Sequence, residues 1–176
     1  MFSLIENKMK TLILTARMDA QSQAFFDDLR AKYFPKDRNF LRAHLTLFHK
    51  LPDSSEVLNI LEALNMPPIQ ATVSSLKNIG QGVAYFLATP ALSELQLTLK
   101  KTFHNFLIPQ DQQSFRPHIT IQNKVKPEEA IALLQKLQTS FTPFDIHING
   151  LDLWHYLDGP WQHYRFFEFS QANEIR

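Results

Sequence analysis

The sequence predicts an α+β protein built from two similar halves, on the strength of three observations. Segments that alternate apolar and polar residues are interspersed with segments of helical spacing, as in a mixed fold. The stretch LRAHLTLFHK at position 41 is matched by FRPHITIQNK at position 115, which lies 74 residues later. The length of 176 residues suits one compact unit. We therefore expect a single bilobal domain over residues 1–176, in which two antiparallel sheets face a central cleft and helices cover the outside.

In the first half, residues 10–17 (KTLILTAR) alternate as a strand. Asp19 is a suitable N-cap for the helix that follows, and Pro35 ends that helix. The first matched stretch contains an apolar alternation at residues 44–48 and is predicted to be a strand. Asp53 then stands before a run of apolar residues at helical spacing, which predicts a second helix capped by its side chain.

The second half repeats this order after a hairpin. Strands are predicted at residues 69–76 and 83–88, joined through the turn-forming sequence NIGQG. A helix begins near Pro90, the second matched stretch forms a strand at 118–122, and another helix begins at Pro127, since proline suits the first helical turn. The closing segment predicts two long strands around the turn sequence LDGP.

Composition limits the classes of function. The chain has no cysteine, which excludes disulfides, thiolate catalysis and cysteine-bound metals. Its formal net charge of +1 gives no bulk attraction to nucleic acid. No apolar run approaches the roughly 20 residues that span a bilayer, and TLILTA is too short for a signal peptide core. We expect a cytoplasmic monomer that does not bind membranes.

The two matched stretches place the same side chains on one face of a strand. Residues at positions i and i+2 of a strand point to the same side. In the first stretch these residues are Arg42, His44 and Thr46. In the second stretch the equivalent residues are Arg116, His118 and Thr120.

If the two halves face one another, two imidazoles and two hydroxyls converge on one small ligand. An imidazole titrates near neutral pH, so one of His44 and His118 can accept a proton while the other donates one. Thr46 and Thr120 can donate hydrogen bonds to phosphate oxygens, and a nearby arginine can offset their charge. This arrangement suits displacement at phosphorus without a metal or another cofactor.

Alternatives remain open at this point. A lone His-x-Thr on a strand is more often a packed, hydrogen-bonded pair, so the duplication could be purely structural. The chain could also bind a nucleotide or an RNA end without turnover. A zinc site is disfavoured by the absence of cysteine and of His-Glu-x-x-His spacing. The remaining histidines lack a paired threonine and are interpreted as structural or surface residues: His49, His104, His147, His155 and His163.

The duplicated HLTL and HITI motifs, together with the closing sequence LDLWHYLDGPWQHYRFFEF, resemble the two-histidine phosphoesterases. This family includes bacterial 2′-5′ RNA ligase-like proteins and cyclic phosphodiesterases. The resemblance implies metal-independent catalysis on a cyclic nucleotide or an RNA 2′,3′-cyclic phosphate end. It also implies that His44 and His118 are the acid and base, and that Thr46 and Thr120 anchor the phosphate.

Five further residues are candidates for substrate contact. Arg42 and Arg116 lie two residues before each histidine, and the resemblance places Tyr164 at the cleft. Trp161 and Tyr85 could stack on a nucleobase. Hydrolysis is the expected reaction, and 2′-5′ ligation is a second activity that the resemblance allows.

Overall fold

A computed structural model describes residues 10–170 of the chain, so residues 1–9 and 171–176 of the expected domain lie outside the described range. The first half of the described chain contains, in order, a strand, a helix, a strand and a second helix. A short 3-10 turn at Lys36–Arg38 precedes the second strand. The bounds are β1 Thr11–Met18, α1 Ala20–Tyr33, β2 Leu45–Pro52 and α2 Ser55–Glu62.

The second half adds five strands and three helices. Most bounds agree with the sequence prediction to within two residues, and the short helix α4 was not foreseen. The elements are β3 Ile69–Asn78, β4 Val83–Ala88, α3 Pro90–Thr102, a 3-10 turn at His104–Phe106, α4 Pro109–Gln112, β5 His118–Gln122, α5 Pro127–Gln138, β6 Phe144–Tyr156 and β7 Trp161–Glu168.

The helix caps agree with the sequence at one helix and differ at another. Asp19 caps α1, because its carboxylate accepts a hydrogen bond from the backbone N–H of Ser22 at 2.9 Å. The expected cap of α2 was wrong: Ser54 accepts from the Val57 N–H. Asp53 is instead 2.9 Å from Nε2 of His155, in a contact 102 residues away along the chain.

All strand pairs are antiparallel, which confirms the α+β prediction. The strand order is β2-β1-β6-β3-β4-β5, and β7 also pairs with β6. The two expected sheets are joined into one. The reason is the length of β6, whose residues 144–148 pair with β3 and whose residues 150–156 pair with β7.

The two motif strands, β2 and β5, are the two ends of this sheet, and they also contact each other. Their apolar alternates are buried in one core, as predicted from the alternation: Leu45, Leu47, Ile119 and Ile121. Helix α1, from the first half, packs on β5, while α4, from the second half, packs on β2. The halves are therefore interlocked around the motif strands.

The turn between β3 and β4 has a glycine with a positional requirement. A Cβ atom at Gly82 would lie 1.8 Å from the backbone oxygen of Gln122, at the end of β5. Only glycine allows the two backbones to approach this closely.

No helix among residues 10–170 has both the length and the apolar character needed to cross a membrane.

Candidate active site

His44 lies immediately before β2, at the edge of the sheet. Its Nδ1 is 2.7 Å from the backbone oxygen of Arg42. A carbonyl oxygen can only accept, so Nδ1 must carry a proton and donate it. In the neutral ring, Nε2 is then the unprotonated nitrogen and is free to act as a base.

His118 opens β5 and has the same local arrangement. Its Nδ1 donates to the backbone oxygen of Arg116 at 2.8 Å, so its Nε2 is the other free nitrogen. The His118 ring stacks on Phe86, its cross-strand partner on β4, with 5.2 Å between ring centres. The duplicated sequence therefore gives the same hydrogen bond and the same ring tautomer in both halves.

Two cavities meet at β2. The His118 cavity, of about 520 Å³, is lined by residues that include Thr46, His49, Lys77, Phe86, Arg116 and His118. The His44 cavity, of about 660 Å³, is lined by residues that include Thr15, Arg17, Phe40, Arg42, His44 and Trp161. His44 lines one cavity and Thr46, two residues later, lines the other, so the two cavities adjoin at the start of β2.

The surroundings of the two imidazoles differ. His44 is partly buried beside Trp161, with 4.6 Å between ring centres, whereas His118 is exposed. Burial lowers the pKa of His44 to about 4, against the raising effect of its hydrogen bond to Arg42. Positive charge on Arg30 and His118 lowers that pKa further, so the two histidines are close enough to interact electrostatically. At neutral pH the His44 ring is uncharged.

Helix α1 holds the backbone before His44 in place. One carboxylate oxygen of Asp27 accepts from the backbone N–H of Ala43 at 2.8 Å, and the other forms an ion pair with Arg42. Gln23 donates to the Ala43 carbonyl at 2.8 Å. Arg42 is thus held by a carboxylate, and its side chain is largely exposed at the rim of the His44 cavity.

Arg30 connects the two motifs. Its side chain lies on α1, is buried, and donates to the carbonyl of Leu41 at 3.0 Å and to the carbonyl of Thr120 at 3.1 Å. Burial lowers its pKa to about 10, although the charge of Asp27 opposes this, so Arg30 remains protonated at neutral pH. One guanidinium therefore fixes the loop that leads to His44 and the strand that carries His118.

His49 reaches the site through a bulge in β2. Thr15 of β1 pairs with Thr46 while Leu14 pairs with Phe48, so Leu47 is an extra residue on β2. The bulge returns His49 to the side of Thr46, and both line the His118 cavity. A regular strand would place His49 on the opposite side from His44 and Thr46, so the bulge is what brings its side chain to this cavity.

Asp111 of α4 holds the end of this bulged strand. Its buried carboxylate accepts from the backbone N–H groups of His49 and Lys50 and from Nδ1 of His49, at 2.8 to 3.0 Å. Burial by itself would raise the pKa of Asp111, but these hydrogen bonds keep it below its ordinary value. Nothing in the sequence around Asp111 indicated this role.

The other predicted residues fall into two groups. Arg116 lines the His118 cavity and Trp161 lines the His44 cavity. Thr120 pairs with Ala84 in the strand that carries His118. The structure does not bring the two tyrosines to the site: Tyr85 is buried against Phe26 in the core, and Tyr164 stacks on His155, outside both cavities.

The remaining histidines make contacts away from the two motif rings. His155 is bonded to Asp53, His104 to the carbonyl of Lys101, and the backbone of His147 to Asp19. His163 contacts the buried Asp152, which also pairs with Arg17 beside the His44 cavity. Within residues 10–170, no three His, Asp or Glu side chains are grouped so that they could hold a metal ion.

Comparison with known proteins gives a family and a fold. The sequence pattern of the 2′-5′ RNA ligase superfamily matches residues 18–160. Among curated proteins, none matches the chain. Solved structures that resemble it include several with 15–18% sequence identity, a level that establishes the fold alone.

Three of these solved structures each cover 93% of this chain and 100% of their own. The protein TT0787 of Thermus thermophilus has a TM-score of 0.65 at 15% identity. A protein described as a phosphoesterase has a TM-score of 0.61 at 18% identity. LigT of E. coli, complexed with 3′-AMP, has a TM-score of 0.60 at 18% identity.

Proposed function

Because the chain belongs to the 2′-5′ RNA ligase superfamily, we propose that it is a phosphoesterase that opens the 2′,3′-cyclic phosphate of a nucleotide or an RNA end. His44 and His118 are its acid and base. The observation that carries this proposal is the repeated ring geometry. Each imidazole donates Nδ1–H to a carbonyl two residues earlier, which leaves Nε2 free for proton transfer.

The reaction is a displacement at phosphorus. Nε2 of one histidine takes a proton from water as the water oxygen attacks the phosphorus atom. The bond from phosphorus to one ribose oxygen breaks, and Nε2–H of the other histidine protonates that oxygen. The products are a phosphate monoester and a free ribose hydroxyl, and one proton has moved from one imidazole to the other.

The surroundings of His44 favour it as the base. With a pKa of about 4 it is unprotonated at neutral pH and can accept a proton, although as a weaker base than a ring that titrates near pH 7. Its Nδ1–H is already committed to the Arg42 carbonyl. His118 is then the acid that supplies the proton to the leaving oxygen. Its exposed position lets it regain a proton from solvent after each turnover.

The phosphate and the nucleobase of the substrate have candidate partners on opposite sides of His44. Thr46 lines the His118 cavity and can donate a hydrogen bond to a phosphate oxygen. Thr120, the second predicted phosphate anchor, lines neither cavity. Trp161 and the exposed Phe40 line the His44 cavity and offer flat apolar surfaces for a nucleobase. Among the described residues, hydroxyl groups and cationic side chains are thus the groups available to bind the phosphate. Metal-independent catalysis stays a prediction.

The same groups can serve ligation. If the 5′-hydroxyl of a second RNA replaces water, attack on the cyclic phosphate with departure of the 3′ oxygen gives a 2′-5′ linkage. The proton transfers are those of hydrolysis, so the acid and base need not change. The relative rates then depend on whether the site holds a second RNA or water.

A panel of 2′,3′-cyclic nucleotides and cyclic phosphate-ended RNAs, with the phosphate position of each product determined, tests this proposal. We expect hydrolysis to a single monoester isomer, and we expect the rate to be unchanged by EDTA. Loss of activity in EDTA and its recovery with zinc would refute the metal-free mechanism. Binding of these ligands without any product would mean that the chain is a nucleotide-binding module.

A further inference from the structure

The His118 cavity contains basic side chains that the proposed displacement does not use. Lys77 of β3 places its Nζ 4.8 Å from the centre of the Phe86 ring, and the guanidinium carbon of Arg116 is 5.6 Å from the same centre. His118 stacks on this ring as well. Two permanent cations therefore lie near the Phe86 ring on which the His118 imidazole stacks.

These cations lack the carboxylate partners that arginines have on the other side of the site. In the His44 cavity, Arg17 pairs with Asp152 and Arg42 pairs with Asp27. Within residues 10–170, neither Lys77 nor Arg116 takes part in an ion pair. Two cations that lie 4.8 and 5.6 Å from one ring centre and lack a carboxylate partner favour binding of an anion.

His49 adds a third nitrogen to this cavity. A carboxylate only accepts, so the contact between its Nδ1 and Asp111 requires a proton on Nδ1 and leaves Nε2 available for a ligand. Asp111 is the carboxylate that lines the same cavity, and its oxygens already accept from the His49 ring and from two backbone N–H groups. Its carboxylate therefore bonds to the bulged strand and forms no ion pair with Lys77 or Arg116.

We propose that Lys77, Arg116 and His49 form a subsite for a second phosphate group, one ribose away from the phosphorus that reacts. This inference rests on the proposed function and narrows its substrate class. The preferred substrate then has two phosphates, either as a 5′-phosphorylated 2′,3′-cyclic nucleotide or as an RNA end whose last internucleotide phosphate occupies the subsite. The nucleobase of this substrate then occupies the His44 cavity, which has aromatic side chains in its lining.

Binding of two mononucleotides, measured by calorimetry, tests the subsite without any need for turnover. We expect adenosine 3′,5′-bisphosphate to bind about tenfold more tightly than adenosine 3′-monophosphate, the gain expected from one charge-assisted contact. Lys77→Gln and Arg116→Gln should each reduce that preference to about two- to threefold, and Lys77→Gln should leave the monophosphate affinity nearly unchanged. Lys136→Gln is the matched control, because Lys136 is also an exposed lysine near an aromatic ring, that of Tyr33, but lies outside the cavity.

The outcomes separate this inference from the proposed function. Equal affinities for the two nucleotides in the wild-type protein would overturn the subsite, whatever the catalytic activity. A preference that survives both substitutions, or an equal loss of affinity for both nucleotides, would overturn the assignment of these residues. A preserved preference without hydrolysis of any cyclic phosphate would instead refute the proposed function and leave the subsite intact.

A kinetic comparison then distinguishes the two sources of the second phosphate. The value of kcat/KM is measured for 2′,3′-cyclic AMP, for its 5′-phosphorylated form, and for a dinucleotide that ends in a cyclic phosphate and lacks a 5′-phosphate. A gain of about tenfold for the 5′-phosphorylated nucleotide alone indicates a mononucleotide substrate. A gain for the dinucleotide indicates an RNA end, and no gain for either contradicts the subsite.

Discussion

The two His-x-Thr motifs share a local geometry but differ in their surroundings. At both, the imidazole donates Nδ1–H to the carbonyl of an arginine two residues earlier. The ring of His44 lies partly buried beside Trp161 of the closing hairpin, and its pKa falls to about 4. The ring of His118 is exposed and stacks on Phe86. The repeated motif therefore gives both rings the same orientation, while their neighbours come from elsewhere in the chain and differ.

Two residues in equivalent motifs can therefore take unequal roles. Sequence alone could not say which histidine is the base, because the two motifs look alike. The distinction comes from β7, which supplies a tryptophan to one motif, and from β4, which supplies a phenylalanine to the other. This asymmetry can be tested through catalysis, through the Arg30 link between the two motifs, and through the stability of the fold.

The largest expected effect follows from removing either imidazole. His44→Gln and His118→Gln should each lower kcat on a 2′,3′-cyclic nucleotide by about 10²–10⁴-fold, the usual contribution of a general acid or base. The double variant should be little worse than either single one, because the two rings act as a unit. Steady-state kinetics measures this, with His104→Gln as the control on an exposed histidine outside both cavities. Near-wild-type turnover in either single variant would contradict the paired mechanism.

A smaller loss of activity, together with a loss of stability, is expected when Arg30 no longer links the two motifs. Arg30→Met removes the donors to Leu41 and Thr120 and leaves their carbonyls without that partner. We expect the free energy of unfolding to fall by about 3 kcal/mol, and kcat to fall about tenfold in the protein that remains folded. Urea denaturation and kinetics on the same samples give both values. Arg38→Met, on the exposed 3-10 turn, is the control, and unchanged kcat in Arg30→Met would show that the two motifs are positioned independently.

The smallest effect is the pH dependence of stability. The pKa of His44 is about 4 in the folded protein and 6.5 when unperturbed, so the unfolded chain takes up a proton first as the pH falls. The stabilisation from neutral His44 is complete above pH 6.5 and is lost as the pH drops towards 4. Between pH 7 and pH 5 this amounts to about 2 kcal/mol.

Urea denaturation at pH 7 and pH 5 measures this loss in three proteins. His44→Gln should lose about 2 kcal/mol less than the wild type, because it lacks the titrating ring. His118→Gln should still show the loss, since His44 remains. Equal pH dependence in all three proteins would contradict the buried, neutral state of His44. If His44 is the base, the acidic limb of kcat/KM should likewise lie near pH 4, below the neutral range that sequence alone suggests.

The sequence predicted most elements of the fold because their signals are local. The alternation in β5, the prolines that begin α3 and α5 and the Asp19 cap each act within a few residues. The motif histidines were found for the same reason, since their spacing is visible in the chain.

The parts of the site that the sequence did not predict depend on contacts between distant residues. The hydrogen bond from Arg30 to Thr120 spans 90 positions, and those of Asp111 to His49 span 62. The position of His49 depends on a bulge that exists only when β2 pairs with β1. Lys77 reads as an ordinary exposed strand residue until β3 is placed beside Phe86 of β4. Such features follow from strand pairing, which no short stretch encodes.

Strand β6 has a mechanical consequence for the enzyme that we propose. Because one 13-residue strand is bonded into both halves, swinging the halves apart would break its ladder to β3, β1 or β7. Strand pairing among the described residues therefore resists a change in the separation of the two imidazoles. We expect the proposed enzyme to select substrates whose size already suits that separation.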